Sequence, residues 1–235
     1  HLNGLLKPSK GNVYIDGENI WDNSSKIRNL RFKVGLVFQY PEYQLFEDTV
    51  YKDIEFGPIN MGLSENDRKK RVKMAADFVG LEYGLLEKSP FELSGGEKRK
   101  AAIAGVISMD PDILILDEPT AGLDPRGKDE FLNHIKRYHK ERKNTIIWVS
   151  HSMEDIAMIS DRVIVMNKGK VVMFDSTKNV FFRDKELEKM GLRIPQITRI
   201  MSRLKDNGFD IDSGILTVDQ AVNEILRYLK RREID

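Results

Sequence analysis

Ile113-Leu114-Ile115-Leu116-Asp117-Glu118-Pro119-Thr120 is the stretch on which the reading of this chain turns. Four consecutive apolar residues suit a strand buried on both faces of a parallel sheet. Asp117 and Glu118 close it, and in open α/β sheets ligands bind outside the carboxyl ends of the strands. Taken alone, two acids at a strand end are more often simply solvated. Their surroundings separate the two readings. Downstream, Pro119-Thr120-Ala121-Gly122-Leu123-Asp124 runs into Pro125, a residue suited to a helix start. Upstream, Leu93-Ser94-Gly95-Gly96-Glu97 is a glycine-rich turn in which Ser94 can cap a helix. Glycines lack a Cβ and let an anion approach the backbone, where the N–H groups of a helix start can hold its oxygens. Phosphate chemistry needs both parts: donors for the oxygens, and carboxylates for a metal ion and a water.

Outward from these two motifs the chain alternates. Asn12 to Gly17 reads as a strand running into an Asp-Gly turn, and Lys33 to Phe38 as a buried strand. Thr49 to Met61 is a helical stretch interrupted by Gly57-Pro58, and Ser64 caps a helix reaching about Val79. Ser94 caps the next, which carries Ala101, Ala102, Ile103, Ala104, Val106 and Ile107. Pro125 opens a helix with Phe131, Leu132, Ile135 and Tyr138 on one face. Thr145 to Val149 is a strand, and a short helix starts from Met153. Asn167-Lys168-Gly169 joins two strands as a hairpin. Strands alternating with helices argue for an α/β fold with a mostly parallel sheet and helices on both faces. The block between Gln39 and Leu93 breaks that rhythm and reads as an inserted helical subdomain, spanning residues 48–108 once the Ser94 helix is included. The texture changes near Arg183, with amphipathic segments at Pro195–Leu204 and after Thr217. The expected division is therefore 1–182 and a small helical extension, 183–235.

Composition removes several classes. The 235 residues carry a net charge of +1, so no strong field draws the chain to nucleic acid, and Arg68-Lys69-Lys70-Arg71 reads as a solvated helix face. Cysteine is absent, which excludes a disulfide scaffold and thiolate metal sites. No apolar run approaches the roughly twenty residues of a membrane-spanning helix.

The two motifs resemble the signature and Walker B motifs of ABC-type ATPases, a group of P-loop NTPases. The resemblance implies ATP and Mg²⁺ as cofactors. It makes Asp117 the residue holding Mg²⁺ and Glu118 the one polarising the attacking water. It makes Ser94, Gly95 and Gly96 contacts to the γ-phosphate of ATP held by a second subunit. A lone Gln39 or His151 is more often an ordinary polar residue. Set in Phe38-Gln39 and Val149-Ser150-His151-Ser152, they resemble the Q-loop glutamine, which reaches the metal, and the switch histidine, which contacts the γ-phosphate. Asp124 matches the D-loop aspartate, a contact across the subunit interface. The family also needs Gly-x-x-x-x-Gly-Lys-Ser/Thr, which this sequence lacks. Leu2-Asn3-Gly4-Leu5-Leu6-Lys7-Pro8 resembles the end of the helix that succeeds that motif, and the chain starts without Met. The expectation is of a chain whose start has been lost and which alone binds Mg-ATP poorly.

Gln39-Tyr40-Pro41-Glu42-Tyr43-Gln44-Leu45-Phe46 narrows the resemblance to the ATPase subunits of energy-coupling factor (ECF) transporters, importers of vitamins or cobalt/nickel. Asp53-Ile54-Glu55-Phe56-Gly57-Pro58 and the tail continue it. It implies a second ATPase subunit, identical or paralogous, a transmembrane coupling protein, a substrate-binding membrane component, and a peripheral place on the cytoplasmic membrane face. Residues 183–235 would hold the dimer together. Leu45, Phe46 and Phe56 either line a groove for the membrane partner or fill the core of the helical block. The alternatives are a soluble ABC protein, which would usually carry a second cassette or a coiled coil, and a non-catalytic scaffold subunit. Retention of Glu118 and His151 argues against the scaffold.

Overall fold

The computed structural model describes residues 1–23 and 27–232, the last of these by its backbone alone. The chain divides into two compact units, His1–Val149 and Ser150–Asp235. In the first unit Tyr14–Ile15 (β1) and Glu18–Asn19 (β2) form a short antiparallel hairpin. Asp16 and Gly17 both take left-handed backbone angles at its tip, as a tight two-residue turn requires. Helix α1 (Ile27–Lys33) leads into β3 (Val34–Val37).

Strand β4 (Ile113–Asp117) is the centre of the unit, paired in parallel with β3 on one side and β5 (Thr145–Val149) on the other. Val37 stands opposite Leu116, and Asp117 opposite Val149. Leu114 and Leu116 are fully buried, as the continuous apolar run requires. Facing residues of a parallel ladder share a face, so Gly35, Leu114, Leu116 and Trp148 point the same way. Two helices cover that face: α4 (Gly95–Ile107) and α5 (Pro125–Arg142). A Cβ at Gly35 would lie 2.7 Å from Val106 of α4, so this glycine sets how closely helix and strand approach. Phe131 of α5 lies against Trp148, with ring centroids 6.0 Å apart. The predicted face of α5 is the buried one: Phe131, Leu132, Ile135 and Tyr138.

Helices α2 (Val50–Asn60) and α3 (Glu65–Val79) pack with α4 as the helical block. Ser64 caps α3 as read from the sequence. The expected break at Gly57-Pro58 does not occur, and α2 runs through both residues. Pro58 has no N–H for the Ile54 carbonyl. Fully buried Ser108, just beyond α4, supplies the donor instead, with its Oγ 2.8 Å from Ile54 O. Gly57 matters for a second reason. A Cβ there would fall 2.6 Å from Met109, so the helices cross closely only because it is absent.

The second unit holds α6 (Met153–Ile159), the hairpin of β6 (Arg162–Asn167) and β7 (Lys170–Ser176), then α7 (Thr177–Phe181) and α8 (Asp184–Lys189). The hairpin turns at Lys168 and Gly169, both left-handed. Helices α9 (Gln196–Asp206) and α10 (Val218–Arg232) enclose a small core of Met201, Ile211, Ile215 and Ala221. The expected division at Arg183 lies inside the second unit, between α7 and α8, whereas the two compact units divide after Val149. On α10, Val218, Val222, Leu226 and Leu229 remain at least half exposed. Their helical spacing makes one apolar stripe.

The cap of α4 is reciprocal. Glu97 accepts from the Ser94 N–H (2.7 Å) and the Ser94 hydroxyl (2.6 Å), while Ser94 Oγ accepts from Glu97 N. Those bonds hold the Glu97 carboxyl below its ordinary value of 4.5. A lowered pKa stabilises the fold fully above 4.5, and that contribution disappears as pH falls through the lower folded value. Glu97→Gln is therefore expected to flatten the acid side of a plot of urea midpoint against pH. Ser108→Ala is expected to lower stability by about 1–3 kcal/mol, because Ile54 O loses its donor in a dry interface. Urea unfolding checks both.

Candidate functional site

Sheet register brings three of the candidate residues to one edge. Asp117 ends β4, Glu118 comes next, and Gln39 lies two residues past Val37, itself level with Leu116. Asp117 and Glu118 are half-buried and Gln39 is exposed. Glu118 adopts the left-handed region, φ 46°, which costs a non-glycine residue energy and is held only by its surroundings. Its N–H donates to Val149 O at 2.9 Å, and its carbonyl accepts from Ala121 N at 3.1 Å. The chain thus turns after Asp117, and the two consecutive acids lie where β4 ends. Asp124 closes the turn as the N-cap of α5, its Oδ1 accepting from Gly127 N at 2.6 Å.

Ser94, Gly95 and Gly96 stand exposed at the start of α4. A Cβ at either glycine would meet no atom within 4 Å. Among the described residues no close neighbour accounts for these glycines, unlike Gly35 and Gly57, whose neighbours do. Their surface is open to a group from outside the chain. In this state the Ser94 hydroxyl donates to Glu97. His151 is exposed and belongs to the second unit, two residues beyond Val149. Among the described residues no three His, Asp, Glu or Cys side chains gather as a metal cage. The Asp117 carboxylate, with the Gln39 amide, is of the kind that could hold Mg²⁺, which commonly takes one or two carboxylates and completes its octahedron from phosphates and water.

Sequence reasoning passed over a buried ion pair. Arg99 of α4 has a side chain only 7% exposed. Its Nε and Nη2 reach the two carboxylate oxygens of Glu42 at 3.2 and 3.0 Å. Its Nη1 donates to Ala121 O. Glu42 lies in a short 3₁₀ turn, Pro41–Gln44, just past Gln39. A signal was present: Arg99 repeats at helical spacing with buried Ile103 and Ile107, and a cation on a buried stripe needs an acid.

Leu45, Phe46 and Phe56 line a groove of about 440 Å³ with Arg28, Arg31 and Met109. Phe46 and Phe56 are exposed and meet edge to face at 5.0 Å, so they are groove residues rather than core. Buried Asp53 fixes the groove wall, its Oδ1 accepting from Phe46 N (3.1 Å) and Glu47 N (3.3 Å). Burial pushes its carboxyl pKa up.

Residues 1–121 match the ABC transporter family. The chain is 56% identical over 229 residues to the energy-coupling factor transporter ATP-binding protein EcfA2 of Caldanaerobacter subterraneus, covering 97% of this chain and 80% of that one. It is 54% identical over 231 residues to EcfA2 of Clostridium perfringens, covering 98% and 81%. Among solved structures it resembles cbiO1 of Clostridium perfringens, part of the cbiONQ transporter complex, with TM-score 0.71, 41% identity and 86% and 80% coverage. The ATP-binding cassette MJ0796, solved as a dimer bound to ADP and Pi, aligns with TM-score 0.66, 27% identity and 74% and 77% coverage. With this sequence similarity and this fold, the chain belongs to the ATP-binding subunits of energy-coupling factor transporters, within the ABC-type ATPases.

Proposed function

We propose that this subunit hydrolyses ATP to drive an ECF-type importer for a vitamin or a cobalt/nickel ion, at the cytoplasmic face of the membrane. The observation that carries the reading is the paired carboxylate edge of β4, level with Gln39 and joined through Arg99 to the helix that begins at Ser94. In this reading Mg²⁺ supplies charge neutralisation on the phosphates, with Asp117 and Gln39 as the residues that would hold it. Glu118 orients the attacking water and accepts its proton, and His151 contacts the γ-phosphate. Ser94 and the N–H groups of Gly95 and Gly96 donate to ATP carried by the other subunit. Their open glycine surface supports action across an interface, since no described residue lies within 4 Å of a Cβ at either glycine. Asp124 contacts the second subunit there, in addition to capping α5.

Two further surfaces fit the same assembly. The Phe46–Phe56 groove suits a helix of a transmembrane coupling protein, which in turn meets a substrate-binding membrane component. No helix among the described residues is long and apolar enough to cross a membrane. The apolar stripe on α10 suits contact between the C-terminal extensions, residues 183–235, of two ATPase subunits, identical or paralogous.

Two measurements test this. With a P-loop-bearing segment joined ahead of His1, steady ATP turnover is expected, and Glu118→Gln should lower kcat by about a hundredfold or more while ATP still binds. Unchanged turnover in Glu118→Gln would remove the catalytic assignment. Ending the same protein after Arg183 is expected to weaken the nucleotide-free dimer, measured by analytical ultracentrifugation. Equal dimer stability with and without the extension would exclude the role given to α10.

A further inference from the structure

Arg99 connects the segments that carry the residues assigned to nucleotide. Its guanidinium sits at the meeting of three chain segments. Two nitrogens grip the Glu42 carboxylate, in the turn entered from Gln39. The third nitrogen donates to the carbonyl of Ala121, midway between Glu118 and Asp124. The side chain itself rises from α4, one turn past Ser94-Gly95-Gly96. Only a planar fork with several fixed N–H directions can satisfy a carboxylate edge and a separate carbonyl at once, and a lysine ammonium has no such geometry.

We propose that Arg99 is a positioning residue for hydrolysis: by holding Glu42 and the Ala121 carbonyl together it fixes the Glu118 turn against the Gln39 segment and the start of α4. The inference rests on the roles given above to Glu118, Gln39 and Ser94. Glu118 occupies a left-handed conformation that needs outside support. Its own carbonyl is tied to Ala121 N. The carbonyl of that same Ala121 is what Arg99 holds, so each side of one residue braces the turn. Thr120, next to Ala121, is itself buried, which leaves the turn little freedom to settle elsewhere. Removing one charged partner from this pocket leaves the other buried without compensation. The arrangement therefore acts as a unit: the Glu42 carboxylate orients Arg99, and Arg99 orients the Ala121 peptide.

A buried ion pair by itself says little about stability, because desolvation offsets the attraction. Its value here is geometric. A catalytic group displaced by about 1 Å can lose on the order of a hundredfold in rate. Lysine at position 99 can hold Glu42 or the Ala121 carbonyl, not both. Glutamine at position 42 keeps an acceptor oxygen but loses the charge that orients the fork.

The test uses the subunit with a P-loop-bearing segment ahead of His1, measuring kcat, KM for ATP and thermal midpoint for Arg99→Lys, Glu42→Gln and the double variant. Expected are a kcat about tenfold or more lower in each single variant, a KM within about twofold, and a double variant no slower than the singles, as coupled groups behave. A purely structural role would lower the midpoint and leave kcat per folded molecule unchanged, and that result would overturn the proposal. So would losses that multiply in the double variant. Glu42→Gln, which retains an acceptor oxygen, decides the matter if Arg99→Lys fails to fold. Glu118→Gln is run in parallel. If it lowers kcat while Arg99→Lys and Glu42→Gln leave kcat unchanged, the inference about Arg99 fails alone. If Glu118→Gln leaves turnover intact, the catalytic reading beneath it fails.

Discussion

Everything at the site depends on the burial of one strand. Strand β4 is paired on both edges, and its apolar residues leave it no stable alternative to the middle of a sheet. Parallel pairing then dictates register. With Leu116 opposite Val37 and Asp117 opposite Val149, the segments leaving β3 and β4 emerge at the same edge. Gln39 and Asp117 are near one another because of backbone hydrogen bonds made several residues earlier. No direct attraction between them is needed. A shift of one residue in either ladder would carry Leu116 out of line with Val37 or Asp117 out of line with Val149, so the pairing on both sides of β4 sets the geometry of the edge.

The glycines of the chain divide by what surrounds them. Gly35 and Gly57 are packing glycines, because any Cβ would strike Val106 or Met109. They let α4 press on β3 and α2 cross beside Met109. Gly95 and Gly96 have no such neighbours. Helix formation alone disfavours glycine by up to about 1 kcal/mol per residue relative to alanine, so two of them opening α4 carry a cost. The reciprocal cap between Ser94 and Glu97 offsets part of it and steadies the helix start. What the cap does not do is use the open backbone surface, which remains available to a ligand from another molecule. The same residue type thus marks close packing in the interior of the fold in one place and an open helix start in another.

Much of this was legible in the sequence, for reasons that are local. Ser64 and Ser94 announced helix starts because capping is decided within a few residues. Phe131, Leu132, Ile135 and Tyr138 announced a buried face because periodicity reflects one helix against one surface. The edge carboxylates were legible because a fully apolar run ended in them. Pro58 misled for the same kind of reason. A local rule predicts a break, and the break is repaired by Ser108, far along the chain and invisible to that rule. Phe46 and Phe56 stayed ambiguous because composition does not distinguish an apolar groove from an apolar core. Their mutual edge-to-face contact on the surface does.

Arg99 shows where local reading ends most sharply. Its neighbours Lys98 and Lys100 make it look like one of three solvated cations at a helix start. Lys100 is half-buried and donates to the Gly80 carbonyl at the end of α3. Arg99 turns inward instead, because the helix puts it in line with Ile103 and Ile107. Once buried it must find an acid and a carbonyl, and Glu42 and Ala121 are supplied by two distant segments. The need for an ionic partner in the interior therefore selects which loops approach α4. Since those loops are the ones leaving β3 and β4, satisfying one buried guanidinium fixes the relation between the helix that starts at Ser94 and the edge that ends in Asp117. Apolar packing brings the helix and sheet together, and the directional bonds of Arg99 set the loops above them.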